Sequence, residues 1–472
     1  MKVKLLGLTT KKYIEKQINI CAAAGKLSRM PGTVFDAVAS MKEYDKALKF
    51  VKRVIAMGHT ATIDHDYIVF ALSEVSPIVE QTIIEERFSS FTIKSRREVD
   101  FSNVGFYVPT FRDNNSDILK DNFILQKKYK KHMKELFGAY KTLVENNIPK
   151  EDARFILPYS YHSEILMGLD GTSLVRMIVK LTKGKCSKVS ELKELGEKLY
   201  EVAKERAPYI VELIDNAESY VESELETLLK NKINQKHDYL NEPKLLSYTK
   251  DLDDTLFINA IARIYSLNYD KAKEEYELNI KNNEVFKEKL MKAIFKEPEH
   301  EDLKQVNMRF QLSIPFAILT HYTRHRRLSL SIPDFFPNLD LNKYETPPSI
   351  KTSNILNYYK DIFNKNYIIY QEFKNAGVCE EDLVYFTLSG NLANVIINFD
   401  GESFRWICRL RECTKAQWCI RYAVVKMHKE ISKISKYYAS NLGPDCVTKN
   451  TCGEGKESCG RINNILAVLN KR

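Results

Sequence analysis

The densest run of reactive side chains is Thr323-Arg324-His325-Arg326-Arg327-Leu328-Ser329-Leu330-Ser331, which follows the apolar stretch Ile314-Pro315-Phe316-Ala317-Ile318-Leu319. Four consecutive basic residues repel one another unless anions lie between them. Arginine's rigid fork suits phosphate and carboxylate, and it keeps its charge when partly buried. Two readings follow: an anion-binding cluster, or a solvated helix end whose positive charge complements the C-terminal dipole. A second group, Cys446, Cys452 and Cys459, sits in a glycine-punctuated stretch that begins Gly443-Pro444-Asp445 and ends at Gly460. Such loops can hold zinc or an iron–sulfur cluster, but five and six intervening residues match no pair of Cys-x-x-Cys knuckles. A fourth ligand would have to come from Cys413, Cys419 or His428. Ordinary reduced thiols, or a redox pair, are the alternatives.

The elements that must position these residues repeat. Val3-Lys4-Leu5-Leu6-Gly7-Leu8-Thr9 returns as Pro243-Lys244-Leu245-Leu246-Ser247-Tyr248-Thr249, an offset of 240. Arg87-Phe88-Ser89-Ser90 matches Arg326-Arg327-Leu328-Ser329 at 239, and Asp170-Gly171-Thr172-Ser173-Leu174 matches Asp400-Gly401-Glu402-Ser403-Phe404 at 230. Three matches in order point to a duplicated unit, with copies over 1–235 and 236–472 joined through the polar segment Lys230 to Pro243. Tyr44, Leu48, Val51 and Ile55 have helical spacing ahead of Gly58; Tyr67 to Leu72 reads as a strand, and a helix runs from Ser76 or Pro77 to about Arg87. A long charged helix is expected from Asp117 to Glu145, with Pro149 opening another. The second half gives a helix over Lys271 to Lys292, a strand over Val306 to Leu312, a helix from Pro315 and a long helix from Asn354 to Lys374. The fold class is α+β: two tandem helix-rich copies, each with a small antiparallel sheet. No glycine-rich phosphate loop follows a strand, so Rossmann and P-loop readings lose support.

Composition narrows the class further. The 472 residues carry 72 Lys+Arg against 62 Asp+Glu, a net charge of +10, with 44% hydrophobic residues, 17 Gly and 14 Pro, so collagen-like and disordered classes are excluded. No run approaches 18 uncharged apolar residues and no secretory signal is visible at the start, so a cytoplasmic protein with no membrane partner is expected. Nine cysteines, an odd number, suit a reducing compartment. The positive balance favours anionic ligands, but the signs are interspersed, and nucleic acid is not the expected partner.

Arg324-His325-Arg326 followed by a serine-bearing turn resembles the signature of the flavin-dependent thymidylate synthases, in which Arg-His-Arg is followed after seven residues by Ser and, one residue later, by Arg. Gly58-His59-Thr60-Ala61-Thr62-Ile63-Asp64-His65 is similar to that family's Gly-His segment. Ala153-Arg154-Phe155-Ile156-Leu157-Pro158 resembles its Ala-Arg-x-x-Leu-Pro helix start. Leu410-Arg411 with Ala416-Gln417-Trp418-Cys419-Ile420-Arg421 resembles its late Leu-Arg and Ala-Gln-Trp-x-Ile-Arg stretch. The departures are complementary. The first half has Glu85-Glu86-Arg87 in place of Arg-His-Arg yet keeps Ser95, Arg97 and Arg154. The second half keeps Arg324, His325, Arg326 and Arg411 but has Asp334 for the serine and Val384 for Arg154, while Leu181 stands in the first half where the second has Arg411.

The resemblance implies reductive methylation of dUMP to dTMP with FAD as cofactor and NADPH and methylenetetrahydrofolate as co-substrates. It implies that Ser95, Arg97 and Arg154 hold the nucleotide phosphate, that Arg411 polarises the pyrimidine, and that Arg324, His325 and Arg326, with His59 as a further contact, face the flavin. Ser95 and Arg411 are its catalytic candidates. One composite site would then draw on both copies, and a homodimer of the fused chain would imitate the family's tetramer. A flavoenzyme acting on another pyrimidine nucleotide, or a catalytically silent nucleotide- or RNA-binding protein, is the alternative.

Overall fold

A computed structural model describes residues 1–8, 14–28, 30–221, 223–229, 232–233, 238–333 and 340–461; part of the expected join and Asp334 lie outside them. Copy 1 runs through β1 (Lys2–Leu8), α1 (Tyr44–Ala56), β2 (Tyr67–Val75), α2 (Pro77–Ile84), β3 (Ser90–Ile93), α3 (Asn122–Glu145), β4 (Ser163–Asp170), α4 (Gly171–Thr182) and α5 (Ser190–Arg206). Copy 2 follows with β5 (Lys244–Tyr248), β6 (Asn307–Pro315), α6 (Phe316–Thr323), β7 (Ser329–Ser331), α7 (Leu356–Asn375), β8 (Leu392–Asp400), α8 (Gly401–Arg411) and α9 (Trp418–Ser432), and both copies contain further helices. Each copy builds one antiparallel four-stranded sheet, in the orders β1-β2-β4-β3 and β5-β6-β8-β7, so the expected tandem α+β class holds.

The duplication extends to the hydrogen-bond register. Leu5 faces Phe70 and Leu245 faces Phe310, and in both edge strands the register then shifts, between Leu5 and Gly7 and between Leu245 and Ser247. Ser90 faces Gly168 as Ser329 faces Asn398. Asp170 and Asp400 cap α4 and α8 by accepting from the Ser173 N–H at 2.7 Å and the Ser403 N–H at 2.6 Å. The glycine after each cap is required: a Cβ on Gly171 would stand 2.4 Å from the Ile63 carbonyl oxygen, and one on Gly401 would stand 2.5 Å from that of Leu303.

Local chemistry sets the element ends. Ser76 accepts from the Ile78 N–H and Pro77 opens α2, whose residues are all buried, the polar Glu80, Gln81 and Thr82 among them. It stops at Ile84, three residues short of the expected Arg87, where the chain turns into β3. The long helix α3 begins at Asn122 rather than Asp117, because Asp113 folds residues 113–117 into a turn by accepting from the Asn115 and Asp117 N–H groups. The single helix expected over 271–292 is two, Tyr269–Asn279 and Glu284–Ile294. Asn283 starts the second by accepting from the Phe286 N–H at 3.0 Å. Among the described residues no helix is long and apolar enough to cross a membrane.

Packing divides the chain differently from the repeat. Residues 1–236 with 335–391 form one compact unit, and 237–334 with 392–472 form a second. The first unit therefore includes α7, which belongs by sequence to copy 2. His132 of α3 meets Asn366 of α7 at 2.9 Å, and Lys365 pairs with Glu135 at 2.9 Å. Arg112 grips Asp382 with its Nε at 3.1 Å and its Nη2 at 2.7 Å. Buried Glu191 accepts from the Ser76 N–H at 2.8 Å and the Tyr385 hydroxyl at 3.0 Å, and burial lifts its pKa to about 7. Pro158 bridges Leu388, the residue 230 positions on, and the Tyr159 N–H to Thr387 bond (2.8 Å) is mirrored by the Ser389 N–H to Leu157 bond (2.9 Å). Equivalent segments thus meet about a local two-fold, the geometry of a symmetric dimer contact.

Gly171→Ala is expected to lower the thermal midpoint, costing about 1–3 kcal/mol from the forced carbonyl contact. Gly138→Ala in α3, where a Cβ meets nothing within 4 Å, should instead add up to about 1 kcal/mol. Circular-dichroism melts that moved both variants in the same direction would contradict this account.

Candidate active site

In unit 1, three arginines gather where β3 ends and where α3 gives way to a short helical turn, Lys150–Ala153, that continues into Arg154–Ile156. Arg154 is 3% exposed; its Nε donates to the Glu151 carbonyl at 3.1 Å, and its buried Nη2 has no hydrogen-bond partner. Burial, and then the neighbouring Arg96 and Arg97, lower its pKa to about 9, which leaves it cationic at neutral pH. Arg97 pairs with Glu151 at 2.8 Å, and its N–H donates to the Ser95 hydroxyl at 3.3 Å. Asp152, next to Arg154, instead accepts from the Ser349 hydroxyl at 2.6 Å. An unmet guanidinium N–H in a buried setting costs about 1–3 kcal/mol, and an anionic oxygen would remove that cost.

A further arginine had not been singled out from the sequence. Arg96 is buried, lies 3.3 Å from the Glu80 carboxylate, donates to the Tyr161 hydroxyl and covers the Tyr161 ring at 5.3 Å. It occupies the unspecified place between Ser95 and Arg97, and Glu80 and Tyr161 belong to segments with no charge pattern, so only the packing reveals the trio.

In unit 2, α6 ends at Thr323 and Arg324 caps it, with the His325 N–H returning to the Tyr322 carbonyl at 2.9 Å. His325 is buried between two exposed neighbours, Arg324 and Arg326. The Arg411 Nε–H donates to His325 Nε2 at 3.1 Å. That bond requires a lone pair on Nε2, so the ring is neutral with its proton on Nδ1. Burial first, and then the charges of Arg411 and Arg324, push its pKa down to about 3. At neutral pH His325 is therefore an acceptor that orients a guanidinium, and it does not serve as a proton donor. The Ala-Gln-Trp stretch has a structural part here: Gln417 caps α9 by accepting from the Cys419 N–H at 2.8 Å and the Ile420 N–H at 3.3 Å.

The acidic pair of copy 1 has a local explanation. Glu85 stands at the end of α2 as Arg324 does at the end of α6. Glu85 lies 3.8 Å from Lys180 and Glu86 lies 3.2 Å from Arg176, both on α4. The residues 230 positions on in α8 are Leu410 and Trp406. At these positions charge has changed sides: acids on the turn and bases on the helix in copy 1, bases on the turn with Leu410 and Trp406 at the matching helix positions in copy 2. Val384, at the place of Arg154, is 3% exposed and packs as an apolar residue.

Unit 1 thus brings Arg97 and Ser95 together near Arg154, and unit 2 brings Arg324, His325 and Arg411 together with Arg326 beside them. His59 is exposed and caps the 3-10 turn Thr60–His65, its N–H bonded to the Val54 carbonyl at 3.2 Å and its carbonyl accepting from Thr62 at 3.1 Å. Cys446 and Cys459 are half-buried and Cys452 is exposed.

A family model described as thymidylate synthase complementing protein matches residues 11–209 and again 244–435. The chain belongs to this family. One matched region lies in each half of the chain. Curated relatives include the flavin-dependent thymidylate synthases of Geobacter sulfurreducens (24% identical; 27% of this chain, 52% of the relative), Pyrococcus furiosus (28%; 26% and 49%) and Thermococcus onnurineus (24%; 36% and 66%). In these comparisons the chain spans about half to two thirds of the length of the relatives it matches.

The electrostatics of His325 can be measured. Its folded pKa lies below its unfolded value of about 6.5, so between the two the unfolded chain binds more protons and stability falls as pH drops through that window. His325→Gln keeps an acceptor for Arg411 without titrating. The variant should match the parent near pH 7.5 and exceed it by about 2 kcal/mol at pH 5 in urea melts. Parallel stability–pH curves would show that the imidazole is not held neutral.

Proposed function

We propose that the protein is a flavin-dependent thymidylate synthase that converts dUMP to dTMP, with methylenetetrahydrofolate as one-carbon donor and NADPH as reductant. In this reading copy 1 supplies the nucleotide-phosphate residues, and copy 2 supplies the flavin and pyrimidine residues of a composite site. The observation that carries it is Arg154: a buried cation with an unmet N–H is a ready seat for a phosphate oxygen, and the copy that keeps it is the one that has lost Arg-His-Arg.

Bound FAD supplies the redox chemistry that moves the one-carbon unit. The chain's own residues supply binding and electrostatics. Arg154 and Arg97 neutralise the nucleotide phosphate, and the Ser95 hydroxyl donates to it. Arg411, fixed in orientation by neutral His325, stabilises negative charge that develops on the pyrimidine carbonyl. Exposed Arg324 and Arg326 meet the flavin's phosphates, and His59 adds a contact to the same cofactor. The fit rests on the donor set, guanidiniums in constrained positions with an uncharged imidazole among them, which suits several anionic ligands bound at once. A homodimer would bring four copies together.

Purified protein should be yellow, and Arg97→Ala and Arg324→Ala should each lower thymidylate formation by about 10²-fold or more. Mixing the two inactive variants should restore activity above their sum if the residues combine across chains; no recovery, with one doubly mutated chain no worse than either single variant, would keep the combination within a chain. Protein that takes up no added FAD would overturn the proposal, and a panel of pyrimidine nucleotides tests the substrate. Arg154→Met should abolish dUMP binding in calorimetry while leaving the unliganded chain as stable or more so, because a buried unsatisfied cation is removed. Unchanged dUMP affinity would remove Arg154 from the phosphate site.

A further inference from the structure

Three side chains able to ligate a cation converge in unit 2. Cys408 lies in α8, Glu412 caps the C-terminal end of that helix, and His428 lies in α9. A spacing of four residues puts Cys408 and Glu412 on the same face, one turn apart. One ligand atom from each, the Cys408 Sγ, a Glu412 carboxylate oxygen and a His428 ring nitrogen, lies within 4.8 Å of the other two. Cys408 is fully buried, and the Glu412 and His428 side chains are only 8% and 14% exposed. Among the described residues the tail cysteines Cys446, Cys452 and Cys459 join no group of this kind.

The duplication indicates that the fold does not need these side chains. Counting back 230 positions, the offset that relates the caps Asp400 and Asp170, α4 has Ile178 for Cys408 and Thr182 for Glu412. Ile178 is buried, and its carbonyl accepts from the Thr182 hydroxyl at 2.8 Å. Copy 2 therefore buries a thiol and a carboxylate where the matching helix carries an isoleucine and a self-satisfied threonine. A buried carboxylate is costly unless a cation accompanies it.

The surroundings of His428 fix where that cation sits. Nε2 lies 3.0 Å from the Ala439 carbonyl, which can only accept, so Nε2 carries a proton. Nδ1 lies 2.8 Å from Glu412 Oε1. A ring lone pair and a carboxylate oxygen repel at that distance, so a proton or a metal ion stands between them. A proton there joins two of the three groups; a metal ion engages all three, the thiol included. A histidine whose second ring N–H is held by a main-chain carbonyl is also the usual arrangement of a metal ligand.

We propose that Cys408, Glu412 and His428 form a site for one Zn²⁺ ion that ties the end of α8 to α9. Sulfur, nitrogen and oxygen donors together suit zinc, and a thiolate disfavours hard cations such as Mg²⁺ and Ca²⁺. On binding, the Cys408 thiol and the Nδ1–Glu412 pair each release one proton. One Zn–S, one Zn–N and one Zn–O bond form, and water takes the fourth position. Two protons leave as a dication enters, so the buried group stays at net charge zero. Tetrahedral bonds of about 2.0–2.3 Å set neighbouring ligand atoms about 3.3–3.7 Å apart, which these side chains reach with adjustments of about 1 Å. Glu412 follows Arg411, whose Nε–H donates to His325, so the ion fixes the helix end that carries that pair. Zinc binding here does not depend on the flavin reading.

Elemental analysis of the full chain, purified without chelator, should find about one zinc per chain. Calorimetric Zn²⁺ titration of chelator-treated protein, in two buffers of different ionisation enthalpy, should show about two protons released per ion. Co²⁺ in its place should give the visible bands of a tetrahedral ion with charge-transfer absorption from a single thiolate. Cys408→Ile/Glu412→Thr, the pair that α4 already accommodates, should keep the parent's circular-dichroism spectrum and lose all three signals. His428→Gln should lose them too, whereas Cys452→Ser/Cys459→Ser should keep them. FAD uptake is measured on the same samples: zinc-free protein that binds FAD would remove only the metal site, and zinc-loaded protein that binds no FAD only the proposed function. A parent chain with no zinc and no uptake in the titration would overturn the inference. So would iron in place of zinc, zinc that survives both the Cys408→Ile/Glu412→Thr and His428→Gln changes, or zinc lost from the tail-cysteine variant instead.

Discussion

The constraint on which the rest depends is the cost of holding guanidinium groups close together and partly out of water. In unit 1, Arg154 is nearly fully buried beside Arg96 and Arg97. The protein compensates selectively. Glu80 and Tyr161 satisfy Arg96, Glu151 satisfies Arg97, and Arg154 keeps a buried N–H with no acceptor. Residues selected only for stability would close that gap or replace the cation with an apolar side chain, as Val384 does in the other copy. In unit 2 the same problem is met by a different device: an imidazole, uncharged because it is buried among cations, accepts from Arg411 and adds no positive charge of its own.

Duplication gives each of these solutions a counterpart against which to read it. Strand register, the bulge in the first strand, the aspartate caps and the glycine pressed against a carbonyl are shared by both copies, so they are requirements of the fold. The charged positions are not shared. Glu85 and Glu86 pair with α4 where His325 accepts from Arg411, and Arg154 has Val384 as its counterpart in the other copy. Once two copies are covalently joined, their equivalent positions can change independently, and each loss of a cation reduces like-charge repulsion.

The local two-fold within unit 1 adds to this picture. A segment of copy 2 that carries α7 packs with copy 1 through matched main-chain bonds, the Arg112–Asp382 pair and an aromatic cluster in which Phe111 meets Phe373 and Tyr129 meets Phe386. Contacts of this kind between identical chains would be repeated by symmetry. Here one half is free to change, and buried Glu191 shows the result: it ties Ser76 of copy 1 to Tyr385 of the copy 2 segment.

Much of this was legible from the sequence alone. Repeat offsets of 240, 239 and 230 follow from covalent spacing, and they specified two copies and the pairing of Ser90 with Ser329 and of Asp170 with Asp400. Alternation and cap residues located the strands β2 and β6 and the helices that follow them, because those signals act over a few residues. The motifs around Arg154, Arg324 and Arg411 marked the cationic positions for the same reason. What required tertiary structure was every relation between residues distant in the chain: that α7 packs with copy 1, that Arg96 is held by Glu80 and Tyr161, and that His325 is neutral. Burial and through-space charge decide these, and neither is a property of local sequence.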